Sequence, residues 1–159
     1  MSVSRVRMIE SLGEVDRAAW DRLANPPGAP FDPFITWDFL QALEQSGCVS
    51  EETGWAPRHL VAEGADGEMV GALPLYLKSH SYGEYVFDHA WANALERAGG
   101  QYYPKLLTMV PFTPVTGRRI LSADDEARSA LVEAAPSLAR EWGLSSWHVL
   151  FPDERDTKT

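Results

Sequence analysis

Cysteine is almost absent. Cys48 is the only one in the chain, so an intrachain disulfide or a multi-cysteine metal site is excluded. It follows Gly47 in what reads as a loop. Basic residues are also scarce: 14 Lys and Arg stand against 23 Asp and Glu, for a formal net charge of −9. Non-specific binding to DNA needs clustered cations. The best local group, Lys105 with Arg118 and Arg119, is too thin for that. No apolar run approaches the roughly 18 residues of a membrane-spanning helix. The opening MSVSRVRMIESLGE lacks the apolar centre of a signal peptide. These absences predict a cytoplasmic protein with no membrane span. Internal repeats, low-complexity segments, a G-x-S-x-G elbow and a phosphate-binding P-loop are missing too.

Apolar residues make up 45 % of the chain, including six Trp and six Phe, which is enough for one folded core. The pattern predicts a strand over 3–9, with Val3, Val6 and Met8 alternating. Ser11 and Glu14 have capping-box spacing ahead of a short helix with Leu12, Ala19, Trp20 and Leu23 on one face. NPPGAPFDP at 25–33 is a loop. Trp37, near Phe31 and Phe34, is expected to cap the core. Thr36 caps a second helix with Phe39, Leu40 and Leu43 inward, stopped at Gly47.

Strands are expected over 58–63 and 69–78, joined as an antiparallel hairpin by the GADG turn. Pro74 has no N–H and must interrupt the second strand. A helix is expected over 88–97 with Ala90, Trp91, Ala94 and Leu95 on one side, broken at Gly99–Gly100. Then come a strand over 105–110, a turn marked by Pro111, Pro114 and Gly117, and a short strand over 118–121. Ser122 with Asp125 suggests the start of the strongest helix. Leu131, Ala134, Ala135, Leu138 and Trp142 share its face, Pro136 should kink or divide it, and Gly143 stops it. A final strand over 146–151 leads to a polar tail. Early hairpin strands and one long late helix make an α+β layout with a mixed sheet.

The densest chemistry lies in HSYGEYVFDHAW at 80–91 and QYYPK at 101–105. With HSYGEYVFDHAWANALERAG, YYPKLLTMVPFTPVTGRRIL and the closing HVLFPDE, the chain resembles the FemAB-like group of peptidoglycan biosynthesis or recognition proteins, placed with the GNAT acyltransferase superfamily. The resemblance implies an incomplete GNAT-like α+β fold, a mixed, mostly antiparallel sheet flanked by helices. Residues 1–152 would be one domain, the N-terminal unit of a longer two-domain protein, and 153–159 a polar tail. It also implies acyl or aminoacyl transfer to a small-molecule or peptide amine acceptor in cell-wall precursor metabolism, with acyl-CoA or aminoacyl-tRNA as donor. The GNAT cofactor signature Q/R-x-x-G-x-G/A is missing. At its place stands PFTPVTGRR, whose prolines remove donors a pyrophosphate cradle needs.

Amine acylation needs a base for the amine proton and donors for the carbonyl oxygen. Glu84, Asp88 or His89 could be the base, and Tyr85 or Tyr82 the acid or oxyanion donor. His80, Tyr82, Trp91, Tyr102, Tyr103, Lys105 and Arg118 are the candidate substrate contacts. Tyr102 and Tyr103 beside Lys105 suit a nucleotide or phosphorylated carrier, and Arg118 a phosphate or carboxylate. The plainer reading is a solvated loop whose aromatics pack on the sheet, with Arg118 and Arg119 on opposite faces, one a surface charge and one an ion pair. His80 and His89 match no metal-binding spacing. A non-catalytic module binding a cell-wall peptide or a protein partner is the alternative function. A structural domain completed by oligomerisation is the third reading, because a bare sheet edge favours pairing as a homodimer.

Overall fold

The computed structural model describes residues 2–158. Strand β1 (Val3–Ile9) leads into a one-turn 3-10 helix and then α1 (Arg17–Ala24) and α2 (Trp37–Gln45). The Ser11–Glu14 capping box is present, but it closes the 3-10 turn. Helix α1 itself is capped by Asp16, whose carboxylate accepts from the Ala19 N–H. Thr36 caps α2 through the Phe39 N–H, as its position predicts. Trp37 reaches back from α2 and donates through Nε1 to the Leu12 carbonyl at 2.8 Å.

The expected hairpin forms but is divided between two sheets. Its first arm is β2 (Trp55–Pro57) and β3 (His59–Gly64), its second β4 (Met69–Leu73) and β5 (Tyr76–Lys78). The break falls at Pro74 on one arm and Arg58 on the other, bridged by the Arg58 N–H donating to the Leu75 carbonyl at 2.8 Å. Strand β2 was not readable from the pattern, since WAP is too short to alternate. Helix α3 (His89–Arg97), β6 (Lys105–Thr108), β7 (Leu121–Ser122), α4 (Asp125–Glu141), β8 (Trp147–Val149) and α5 (Glu154–Thr157) complete the order.

One sheet runs β1-β3-β4-β7 and is antiparallel throughout. The other runs β2-β5-β6-β8, with β6 and β8 parallel. Strand β3 is buried along its whole length because both faces are covered. Leu60, Ala62, Val70 and Leu73 pack with Leu131 and Ala135 of α4, while Ala72 and Leu121 pack with Trp20, Leu23 and Leu40 of α1 and α2. Gly71 lets α4 approach: a Cβ there would lie 2.9 Å from a Leu131 methyl.

Several expectations need correction. Helix α4 is capped by Asp124, not Ser122, which belongs to β7. Pro136 sits inside α4 without ending it. Trp142 lies on the exposed rim of that helix. The predicted stripe of α3 faces solvent; Ala92 is its buried residue. The tail after Pro152 forms α5, and Asp156 anchors it, accepting from Arg128 at 2.6 Å and from the Arg119 N–H at 2.5 Å.

Candidate functional site

The loop from Ser79 to Asp88 leaves the end of β5 and enters α3, passing the start of β6. Lys78 and Lys105 are register partners across these strands, so both side chains share one face beneath the loop. Both are fully buried. Lys105 Nζ donates to Glu84 Oε2 at 2.9 Å and Asp88 Oδ2 at 2.7 Å. Lys78 Nζ donates to the Tyr82 carbonyl at 3.0 Å and lies 3.7 Å from the centre of the Trp55 ring. The same carbonyl accepts from Trp55 Nε1 at 3.2 Å. Two strand lysines thus fix the loop from below. The turn itself requires Gly83, at φ 82°, where a Cβ would meet the Phe112 ring at 2.6 Å.

Asp88 stands at the N-cap of α3 but makes no capping bond. Its carboxylate turns back to Lys105 and accepts from the Tyr102 hydroxyl at 2.7 Å. Burial alone would raise the Asp88 carboxyl; the bonds from Lys105 and Tyr102 outweigh it and hold it below its ordinary value. Asp88 Oδ1 has no hydrogen-bond partner among the described residues. Glu84 behaves oppositely: burial raises its pKa, against the pull of Lys105 and Lys78, and its Oε1 is buried without a partner. Burial also brings Lys78 down to about 7.

His148 of β8 completes the group. Its Nδ1 lies 3.4 Å from Lys105 Nζ and 3.7 Å from Asp88 Oδ2, and its Nε2 is 3.0 Å from Ser146 Oγ. Burial and the Lys105 charge lower its pKa, against the pull of Asp88, and so favour the neutral imidazole. Asp88, Tyr102 and His148 line a cleft of about 420 Å³ with Trp91 and Leu95 of α3. Trp91 is 73 % exposed.

The predicted residues therefore divide. Asp88, Trp91 and Tyr102 meet in the cleft. Lys105 and Glu84 lie beneath it, out of reach of a ligand. Tyr103 packs edge-on against Tyr102 at 4.8 Å. His89 is exposed and stacks on Phe87, and Tyr85 is exposed at φ 57°; neither lines the cleft. His80 and Tyr82 face a second, more apolar cavity of about 460 Å³ with Cys48, Thr53, Trp55 and Phe112. Arg118 is elsewhere, donating to the Ala24 and Pro30 carbonyls and so tying down the 25–33 loop. Arg119 is buried and donates to the Leu150 carbonyl at 2.9 Å. The expected division into a surface charge and an ion pair is replaced by two arginines serving main-chain carbonyls. Sequence reasoning missed Lys78 and His148. The available signal for Lys78 was a lone cation at an inward position of an otherwise apolar strand.

An anion cradle does not form at the N-terminus of α4. Asp124, Asp125 and Glu126 occupy its cap and first turn, where they oppose a bound phosphate. The N–H groups of Thr113, Val115 and Gly117 are already donated to Val110, Thr113 and Phe151 carbonyls. These residues do not fit the pyrophosphate of acyl-CoA.

The chain is α+β, and its carboxylate-and-aromatic cleft lies at the junction of a loop, a helix and a parallel strand pair. The FemAB-like family model, described as peptidoglycan biosynthesis/recognition, matches residues 11–159, and the chain belongs to that family. No curated protein and no solved structure matches it. Among the described residues, no helix is long and apolar enough to cross a membrane, and no cluster of potential metal ligands occurs.

Proposed function

We propose that this domain recognises a cationic amine carried by a cell-wall component, in the cleft between α3 and β8. Family membership ties the chain to peptidoglycan biosynthesis or recognition. The observation that carries the amine reading is Asp88. Lys105 and Tyr102 engage one oxygen and keep the group ionised, while the other oxygen has no protein partner. A carboxylate held in this way beside Trp91 offers a cation both charge and an aromatic face. The β6–α4–β8 connection, with its strands parallel, supports a GNAT-like reading of the fold.

Neutral His148 favours a second reading, in which the cleft is the acceptor half of an acyl or aminoacyl transfer. The amine would be held at Asp88 and, as it attacks the donor's carbonyl, lose its proton to His148 Nδ1 in place of the long 3.4 Å contact with Lys105. The donor's ester oxygen or thioester sulfur would then leave and take that proton. Glu84 is too deeply buried for that task. Because the α4 terminus does not suit acyl-CoA, recognition is the stronger reading.

The test is calorimetric titration with a stem peptide bearing a free side-chain amine and with the same peptide acetylated on that amine. Saturable binding of the free amine, with loss on acetylation, is expected. Equal affinity for both peptides, or no binding of either by the folded protein, would refute the reading.

A further inference from the structure

Hydrogen-bonding capacity around the cleft is largely spent. Asp88 Oδ2 already accepts from Lys105 Nζ at 2.7 Å and from the Tyr102 hydroxyl at 2.7 Å. His148 Nδ1 faces Lys105 and its Nε2 faces Ser146. Asp88 Oδ1 is the remaining carboxylate acceptor. A primary ammonium brings three N–H donors and a tightly held hydration shell. In this open cleft it would find one strong protein acceptor, so its other donors must stay with water and little of its tightly held hydration is replaced by protein.

An N-methylated ammonium has the opposite requirements. Its charge is spread over methyl groups that need few acceptors or none, and aromatic faces and alkyl groups suit it. Trp91, Tyr102 and Leu95 supply such walls. Lys105 Nζ lies 5.4 Å from the Tyr102 ring centre, so the protein's own cation already uses that ring. Trp91 has no aromatic or cation partner among the described residues, leaving it as the principal wall.

We propose that the cleft binds tertiary or quaternary alkylammonium groups in preference to primary amines, with Asp88 supplying the charge and Trp91 the face. The proposal rests on the reading of this cleft as a cation site. A quaternary ligand has no N–H to lose, so this preference belongs to recognition rather than transfer.

Choline, ethanolamine and 3,3-dimethylbutan-1-ol provide the test, since they share a two-carbon alcohol and differ in methylation and charge. Each is titrated calorimetrically into wild type, W91A and D88N, with folding checked by circular dichroism. Choline should bind wild type at least fivefold more tightly than ethanolamine, and the neutral alcohol far more weakly than choline. W91A should abolish choline's advantage, and D88N should weaken both cations. Ethanolamine binding as tightly as choline would overturn this proposal and leave the cation reading standing. If no cation binds, or if the neutral alcohol matches choline, both are overturned.

Discussion

Lys105 decides the electrostatics of the site. It is fully buried yet compensates two carboxylates, Glu84 and Asp88. Removing one member of such a group strands the others in a poorly solvating interior. Lys105→Met should therefore destabilise the fold by about 3–5 kcal/mol, measured by urea denaturation. Lys78 makes a pH-dependent contribution. Its folded pKa is about 7 against an ordinary 10.5. Between these values the unfolded chain binds more protons, so stability rises with pH. Thermal melts of wild type should shift upward from pH 7 towards pH 9, and this rise should shrink in K78M. A melting temperature independent of pH over that interval would contradict the buried, partly neutral lysine.

Among the elements, α4 packs closely on the sheet at Gly71. A Cβ on Gly71 would lie 2.9 Å from a Leu131 methyl and 3.3 Å from the Ala62 Cβ. Gly71→Ala should cost about 1–3 kcal/mol through overpacking, read as a lower urea midpoint with unchanged m-value. Periodicity and punctuation made most elements legible: β1, α2, the hairpin and α4 announce themselves through alternation, caps and glycine stops. Pro74 correctly marked an interruption. What it could not convey was that the hairpin changes sheet there, because that depends on which strands pair on each side. Helix α3 misled for a related reason. Its apolar stripe is real, but Trp91 and Leu95 line a cleft open to solvent. Periodicity identifies a face and does not say what covers it. Of the stretches 80–91 and 101–105 that the sequence singles out, Asp88, Trp91 and Tyr102 line the cleft. The internal logic of the site was not legible, because Lys78 and His148 join it through strand register.

At the scale of the whole molecule, α4 contacts strands of both sheets, β1, β3 and β4 of one and β6 and β8 of the other. Asp156 links α5 to α4 and to the segment before β7. Its carboxylate is almost fully buried against Arg128. Asp156→Ala should cost about 3–5 kcal/mol and speed hydrogen exchange in α5. Unchanged exchange there would show that α5 docks by other contacts. With a net charge of −9, the protein as a whole attracts cations, and salt should weaken that long-range component. The proposed local recognition rests on Asp88. The direct test is titration of wild type and D88N with one alkylammonium ligand, choline, at low and high salt. Saturable binding should weaken at least tenfold in D88N and moderately with salt in wild type. Unchanged affinity in D88N would contradict a cation site at Asp88.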